Sequence, residues 1–520
     1  MSMDKLRILW ADDEIDLLKP HILFLESKGY KTDTVNNGRE AVEMIGTQNY
    51  DIVFLDEHMP GLTGLETLMQ IKAIRPHLPV VMITKSEEES IMEDAIGSKI
   101  ADYLIKPVNP NQILLCLKKN LDERKLVSEK SSMSYQQEFR TIGSMIGPRL
   151  THQEWYGIYK KLCYYEIDLE KNEDQGILDI LAMQKTEANA VFSRYIENNY
   201  KDWIQGKSLQ TPVMSHTLLR NKLFPMLQDK TPVYLIVIDN LRYDQWKALE
   251  PLFAQYFRIE NDDLYFSILP TATQYARNAL FAGLMPLEIA RKYPKFWVDE
   301  LDEGTKNQYE GELVGEYMKR FGLNIRYSYN KILNLQAGRK LADTINNLND
   351  NPLNIIVYNF VDMLSHARTE MEVIRELADD EAAYRSLTQS WFNHSPLLDI
   401  VKHIGEKGGR ILLTTDHGSV KCQNPLKLLG DRNTNTNLRY KFGKNLNFNS
   451  SDVFEVRHPE EIFLPRANVS TSFVFCREND YFVYPNNYSH FANMYRNTFQ
   501  HGGISMEEIL VPVIEMRSKT

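Results

Sequence analysis

Ile411-Leu412-Leu413-Thr414-Thr415-Asp416-His417-Gly418 reads as a short buried strand that delivers a carboxylate and an imidazole to its carboxyl end, beside a glycine. That edge is where an open α/β sheet places its chemistry. Alone, the stretch equally suits a turn in which Asp416 caps the next helix and Gly418 supplies a positive φ. Its company decides. Apolar runs that end on a polar residue recur: Arg7 to Ala11 before Asp12, Ile52 to Leu55 before Asp56, Val80 to Ile83 before Thr84, Ala101 to Ile105 before Lys106, Val233 to Ile238 before Asp239, and Asn354 to Val361 before Asp362. Strands of this kind, alternating with amphipathic helices, predict parallel sheets with crossover helices, so the fold class is multidomain α/β.

The 520 residues exceed what one hydrophobic core usually supports and predict about three domains. No run of about 18 apolar residues occurs and the N-terminus lacks the parts of a signal peptide, which predicts a cytoplasmic protein without membrane insertion. Cys116, Cys163, Cys422 and Cys476 lie far apart with no CxxC pair, so neither a disulfide framework nor a thiolate zinc site is expected. Any metal falls to Asp and His. A formal net charge of −10 disfavours sequence-independent DNA binding, which draws on Lys and Arg against phosphates. No recognisable helix-turn-helix is present, which counts against a transcription-factor output.

Residues 1–125 form the first predicted domain. Asp12, Asp13 and Asp56 converge at strand ends, a hard oxygen site for Mg²⁺ that can also take a phosphoryl group. Asp56 is the natural nucleophile, forming an acyl phosphate that Lys106 would neutralise and Thr84 would hydrogen-bond. These positions, with Asp56-Glu57-His58-Met59-Pro60-Gly61, Lys106-Pro107 and Tyr103, resemble the receiver domain of two-component response regulators. The resemblance implies a flavodoxin-like (βα)5 fold, phosphorylation of Asp56 by a sensor histidine kinase, Mg²⁺ held by Asp12, Asp13, Asp56 and the carbonyl of His58, and Thr84, Tyr103 and Lys106 as the switch residues. Lys85 departs from it, because the family usually has a small residue there.

Residues 126–225 read as a helical connector bundle without chemistry. The polar stretch Ser128 to Gln137 is the best linker candidate, and stripes such as Trp155, Ile158, Tyr159, Leu162 and Ala188, Val191, Phe192, Tyr195 have helical spacing.

Residues 226–520 form the third predicted domain. Asp239, Asp362 and Asp416 at strand ends, with His366, His417 and His501, make six ligands of the type that suit two zinc ions. A spacing of four puts Asp362 and His366 on one face of a helix, although that pair by itself reads more simply as a surface ion pair. A strand over Phe266 to Pro270 leads into Thr271-Ala272-Thr273 and a helix that ends near Gly283. A hydroxyl at that helix start faces the positive end of the dipole, and zinc coordination would let it attack as an alkoxide. A plain N-cap threonine is the simpler alternative.

The order Asp, Thr, Asp-x-x-x-His, Asp-His, His-Gly-Gly resembles the alkaline phosphatase superfamily of metallohydrolases, and its PglZ-type branch in particular. The resemblance implies an α/β sandwich in which Asp239, Thr273, Asp416 and His417 surround one Zn²⁺ while Asp362, His366 and His501 surround the other. It favours Thr273 over Thr271 as nucleophile, because related enzymes place that residue ten positions before a helix-ending Gly such as Gly283. Arg277, one helical turn on, is expected to bind the non-bridging phosphate oxygens. Asn240 stands where the family frequently has Gly, and Lys427 to Arg466 reads as an insertion that shapes the substrate pocket.

A receiver joined through helices to such a domain resembles the PorX-type response regulators of the type IX secretion system. That resemblance implies a zinc-dependent phosphodiesterase acting on a nucleotide or oligonucleotide and controlled by Asp56 phosphorylation through a homodimer. The competing class is a non-enzymatic regulator whose zinc domain binds a sigma factor, other transcription machinery or a secretion-system component.

Overall fold

A computed structural model describes residues 6–520 apart from 77, 85–99, 148, 171–174, 230, 371–379, 432–433 and 467; the side chains of 121–130 and 366–370 are also outside the description. The chain divides into two compact units, residues 1–137 with 171–173, and residues 138–170 with 174–520. Among the described residues, no helix is long and apolar enough to cross a membrane.

In the first unit, β1 (Arg7–Ala11), β2 (Lys31–Val35), β3 (Ile52–Asp56), β4 (Val80–Thr84) and β5 (Asp102–Ile105) form a sheet of order β2-β1-β3-β4-β5. All its pairings are parallel. Because side chains alternate along a strand, the continuous apolar runs feed two cores. Leu9, Val53, Leu55 and Met82 pack on one face, and Ile8, Trp10, Ile52, Phe54 and Val81 on the other. This is the doubly wound order expected of a flavodoxin-like receiver, with its polar edge at the carboxyl ends of the strands. Lys85, the departure noted above, lies outside the described residues.

In the second unit, β6 (Val233–Ile238), β7 (Phe257–Phe266), β8 (Tyr327–Ile332), β9 (Leu353–Tyr358), β10 (Arg410–Thr414) and, at the end of the chain, Leu510–Ser518 form a six-stranded sheet. β10 pairs in parallel with β6, Thr414 opposite Val237, and β6 pairs in parallel with β9, Ile238 opposite Tyr358. The chain therefore leaves three adjacent strands at one edge. Leu510–Ser518 runs antiparallel to both β10 and β7, so β7 also points its carboxyl end to that edge.

The apolar run 354–361 is not one strand. β9 stops at Tyr358 and a helix, Phe360–Glu370, begins two residues later. Phe360 stacks flat on Trp391 at 4.3 Å, and Val361 is fully buried, so the last apolar residues of the run serve helix packing. Asp362 accordingly sits in the first turn of a helix.

Between β10 and the last strand the chain makes an excursion of short strands: β11 (Val420–Lys421), β12 (Asn424–Lys427), β13 (Tyr440–Gly443), β14 (Val453–Val456), β15 (Ser472–Cys476), β16 (Asp480–Val483) and β17 (Phe499–Gln500). β13, β15 and β14 form a small antiparallel sheet, and β11 pairs with β17 to close the excursion at its base. The expected insertion thus extends beyond residues 427–466. Leu510–Ser518 is β18.

The helices His152–Leu169 and Gln175–Ile204 belong to this second unit. Their aromatic stripes are core. Trp155 packs edge-on to Phe192 at 5.1 Å, and Tyr156, Phe192 and Trp203 all meet Phe266 at the end of β7.

Candidate functional site

In the first unit the ligand oxygens of Asp12, Asp13 and Asp56 lie within 4.8 Å of one another. Lys106 Nζ, from the turn after β5, reaches Asp12 Oδ2 at 2.8 Å and Asp56 Oδ2 at 3.1 Å. Asp56 is buried; burial pushes its carboxyl above the usual range, the Lys106 ammonium opposes this, and Asp12 and Asp13 push further upward. A divalent cation relieves that crowding, and three carboxylates suit Mg²⁺. Thr84 is fully buried at the end of β4, where its carbonyl accepts from the Lys106 backbone N–H at 2.7 Å. Tyr103 is half-buried on β5, and His58 is exposed two residues after Asp56. Gly64 lets the following helix approach this loop, since a Cβ there would lie 2.6 Å from the Asp56 carbonyl oxygen.

In the second unit, Asp239 follows β6, Asp416 and His417 follow β10, and Thr273 opens the helix Thr273–Ala282. Thr273 Oγ1 lies 3.0 Å from His417 Nε2 and 3.3 Å from Asp239 Oδ1. His417 Nε2 in turn lies 3.7 Å from Asp239 Oδ1 and 3.8 Å from Asp416 Oδ2. Donors so spaced fit around one ion whose bonds are about 2.0–2.2 Å long. Asp416 Oδ2 is buried with no hydrogen-bond partner, an orphan acceptor that a cation satisfies. Burial and the neighbouring Asp416 push the Asp239 carboxyl up to about 6 against the pull of Arg277, and burial pushes Asp416 up as well.

Beside this cluster, His501 Nε2 lies 3.5 Å from Asp362 Oδ1. His366 lies one helical turn after Asp362 in the same helix, with its side chain outside the described residues. Both described imidazoles are oriented through Nδ1, His417 against the Gly418 carbonyl and His501 against the Thr271 carbonyl, each at 3.1 Å. A carbonyl partner fixes Nδ1 as the donor and leaves Nε2 as a ligand.

The two threonines have different partners. Thr271 Oγ1 donates to the Gly503 carbonyl and accepts from the Gly502 N–H, both at 3.0 Å, so it ties down the loop that carries His501. Thr273 faces Asp239 and His417. Ala272 is the N-cap, and neither threonine fills that role. Arg277 departs from its expected place. It is 1% exposed, and its guanidinium donates to Asp239 Oδ2 and Glu310 Oε1, both at 2.6 Å. Buried carboxylates take these donors, so the contacts of Arg277 orient Asp239.

Several supporting residues carried no signal in the sequence. Glu310, which orients Arg277, comes from a distant helix and is itself held by Tyr329 and Lys331. Glu508 accepts from the Gly503 N–H at 2.9 Å while paired with the buried Arg439 at 2.6 Å. Asn189, on the helix Gln175–Ile204, accepts from the Met506 N–H and donates to Glu507. Beneath the Asp239 loop, Asp244 binds Arg242 and Arg385, each at 2.6 Å. Burial alone would raise the Asp244 carboxyl, but the two guanidiniums hold it well below the usual range.

The geometry defines a chain of two classes: a phosphoacceptor receiver, and an α/β unit with a cluster of Asp, His and Thr at one sheet edge. Family comparison agrees with both. Residues 8–118 match the response regulator receiver domain, 125–204 the PorX response regulator linker domain, and 218–516 the BREX system PglZ alkaline phosphatase-like domain. The chain belongs to the PglZ alkaline phosphatase-like family, and the three domains in this order make a PorX-type architecture. Curated relatives match over part of the chain. The alginate biosynthesis transcriptional regulatory protein AlgB of Pseudomonas putida is 36% identical over 120 residues, 23% of this chain and 27% of that protein. The transcriptional regulatory protein ResD of Bacillus subtilis is 33% identical over 112 residues, 22% of this chain and 46% of that protein. The chain thus spans less than half the length of either. Among solved structures, a two-component response regulator from Clostridium difficile is 30% identical and covers 22% of this chain and 96% of its own, with a TM-score of 0.22.

Proposed function

We propose that this chain is a response regulator whose output is a zinc-dependent phosphodiesterase, with Thr273 as its nucleophile. The observation that carries the reading is the placement of Thr273 Oγ1, 3.0 Å from His417 Nε2 and 3.3 Å from Asp239 Oδ1, beside the orphan Asp416 Oδ2. Asp239, Thr273, Asp416 and His417 would hold one zinc ion, and Asp362, His366 and His501 the other. When bound, the two ions supply positive charge that lowers the hydroxyl pKa and stabilises the phosphoryl oxygens in the transition state.

The chain's own residues do the rest. Arg277 holds Asp239 Oδ2, which keeps Oδ1 turned to Thr273. The first turn of the helix favours the anionic phosphate. Thr273 Oγ1 gives its proton to solvent and forms a bond to phosphorus as the opposite ester P–O bond breaks, and the leaving oxygen takes a proton from solvent. Water then cleaves the Thr273–phosphorus ester bond, releasing the phosphomonoester that keeps the second ester group and restoring the hydroxyl. A nucleotide or oligonucleotide diester is the substrate class.

On this reading a sensor histidine kinase phosphorylates Asp56 with Mg²⁺ at Asp12 and Asp13, and the phosphorylated receiver controls output through a cytoplasmic homodimer that regulates type IX secretion. Phosphorylation shifts such an equilibrium only by its differential stabilisation of the dimer. Hydrolysis of bis-p-nitrophenyl phosphate tests the enzymatic core. Turnover is expected with zinc and is lost on chelation; turnover undiminished by chelation rules the reading out.

A further inference from the structure

Asn240 lies where the two halves of the candidate centre meet. It directly follows Asp239, is fully buried, and holds a left-handed backbone with φ 64°. Asparagine is one of the few residues besides glycine that accept this conformation. Its backbone N–H donates to Asp416 Oδ1 at 3.3 Å, on the Thr273 side. Its side-chain Nδ2 donates to Asp362 Oδ1 at 3.4 Å and to Ser365 Oγ at 3.2 Å, on the His501 side. Asp362 Oδ1 is the atom that faces His501 Nε2. Asn240 Oδ1 is buried without a hydrogen-bond partner, the same deficit shown by Asp416 Oδ2 and one that a nearby cation relieves.

We propose that Asn240 is a positioning residue for the second metal, and that its amide holds Asp362 in place opposite His501. Through its backbone it also steadies Asp416, so one residue spaces the two half-sites. Glycine would keep the backbone geometry but supply no amide. Aspartate would set a carboxylate against Asp362. The inference rests on the two-zinc reading above and adds to it the residue that sets the affinity of one ion.

Zinc competition titrations of the full chain against a chromogenic chelator test this without an activity readout. His417→Ala leaves the second site intact, and Asp362→Ala leaves the first. Adding Asn240→Gly to His417→Ala is expected to weaken the remaining zinc by about 10–100-fold. Adding it to Asp362→Ala is expected to change nothing, because the backbone bond to Asp416 survives. Glycine suits the left-handed backbone, and the melting temperature in chelator checks the fold. As a second measurement, Asn240→Gly alone should raise the zinc concentration for half-maximal hydrolysis while approaching the wild-type plateau. A lowered plateau at saturating zinc, an unchanged affinity in the His417→Ala background, or equal losses in both backgrounds overturns the inference alone. A wild-type chain that holds fewer than two zinc ions overturns the zinc reading and this inference with it.

Discussion

The imidazole rings of His417 and His501 stack at a centroid distance of 4.2 Å with 20° between their planes. The β11–β17 ladder explains the meeting of residues so far apart in sequence. Val420 pairs with Gln500 and Lys421 with Phe499, so the strands just after His417 and just before His501 are zipped together at the base of the excursion. Each histidine belongs to a different half of the proposed centre, and their stacking sets those halves side by side.

Removing His501 should therefore leave the first half-site standing. His501→Ala is expected to bind one zinc ion where the wild type binds two, and to lose diester hydrolysis. Metal analysis after dialysis checks the count. Loss of both ions would show that the two halves do not bind separately.

The buried Arg277 should behave as a holder of Asp239. Arg277→Met strands Asp239 and Glu310 without their shared partner, both fully buried. Breaking a buried pair in this way costs about 3–5 kcal/mol. Urea unfolding of the chelated protein measures it; a residue that only faced substrate would leave that stability untouched.

Arg385 makes a parallel case away from the chemistry. It joins Asp244 beneath the Asp239 loop to Glu166 and Glu170 on the helical segment. Arg385→Met is expected to cost about 3–5 kcal/mol by the same mechanism. Zinc content should remain at the wild-type value, because no proposed ligand touches Arg385.

Lys441 carries a pH signature. The residue is 2% exposed, its ammonium donates to the Asn435 carbonyl at 2.7 Å, and burial pulls its pKa down to about 8. Its ordinary value is 10.5. Between those values the unfolded chain binds more protons than the folded one, so this group's contribution to stability rises with pH across the window and is least favourable below it. Lys441→Met is expected to raise stability at pH 7 by about 1–2 kcal/mol, after the lost hydrogen bond is subtracted, and to raise it less at pH 10. Urea unfolding at the two pH values checks the sign.

The receiver site was legible because each functional residue stands at the end of a short apolar run. Strand order then placed Asp12, Asp56, Thr84 and Lys106 at one edge. The candidate ligands after β6 and β10 were readable for the same reason. Phe360 and Val361 extended an apparent strand because burial looks alike in strand and helix when the run is short; packing on Trp391 settled the matter. The orientation of Arg277 was beyond reach, since it depends on Glu310 from a remote helix. The buttresses Asn189 and Glu508 were hidden likewise, because pattern and spacing say nothing of partners that stand 317 residues away for Asn189 and 69 away for Glu508.

Rapid acid quench during diester turnover, followed by peptide mass spectrometry, tests the central claim most directly. A Thr273-linked phosphoryl adduct that keeps the substrate's second ester group in the wild type, absent from Thr273→Val along with turnover, is the expected result. Sustained turnover in Thr273→Val, or the same adduct trapped on Thr271, would contradict it.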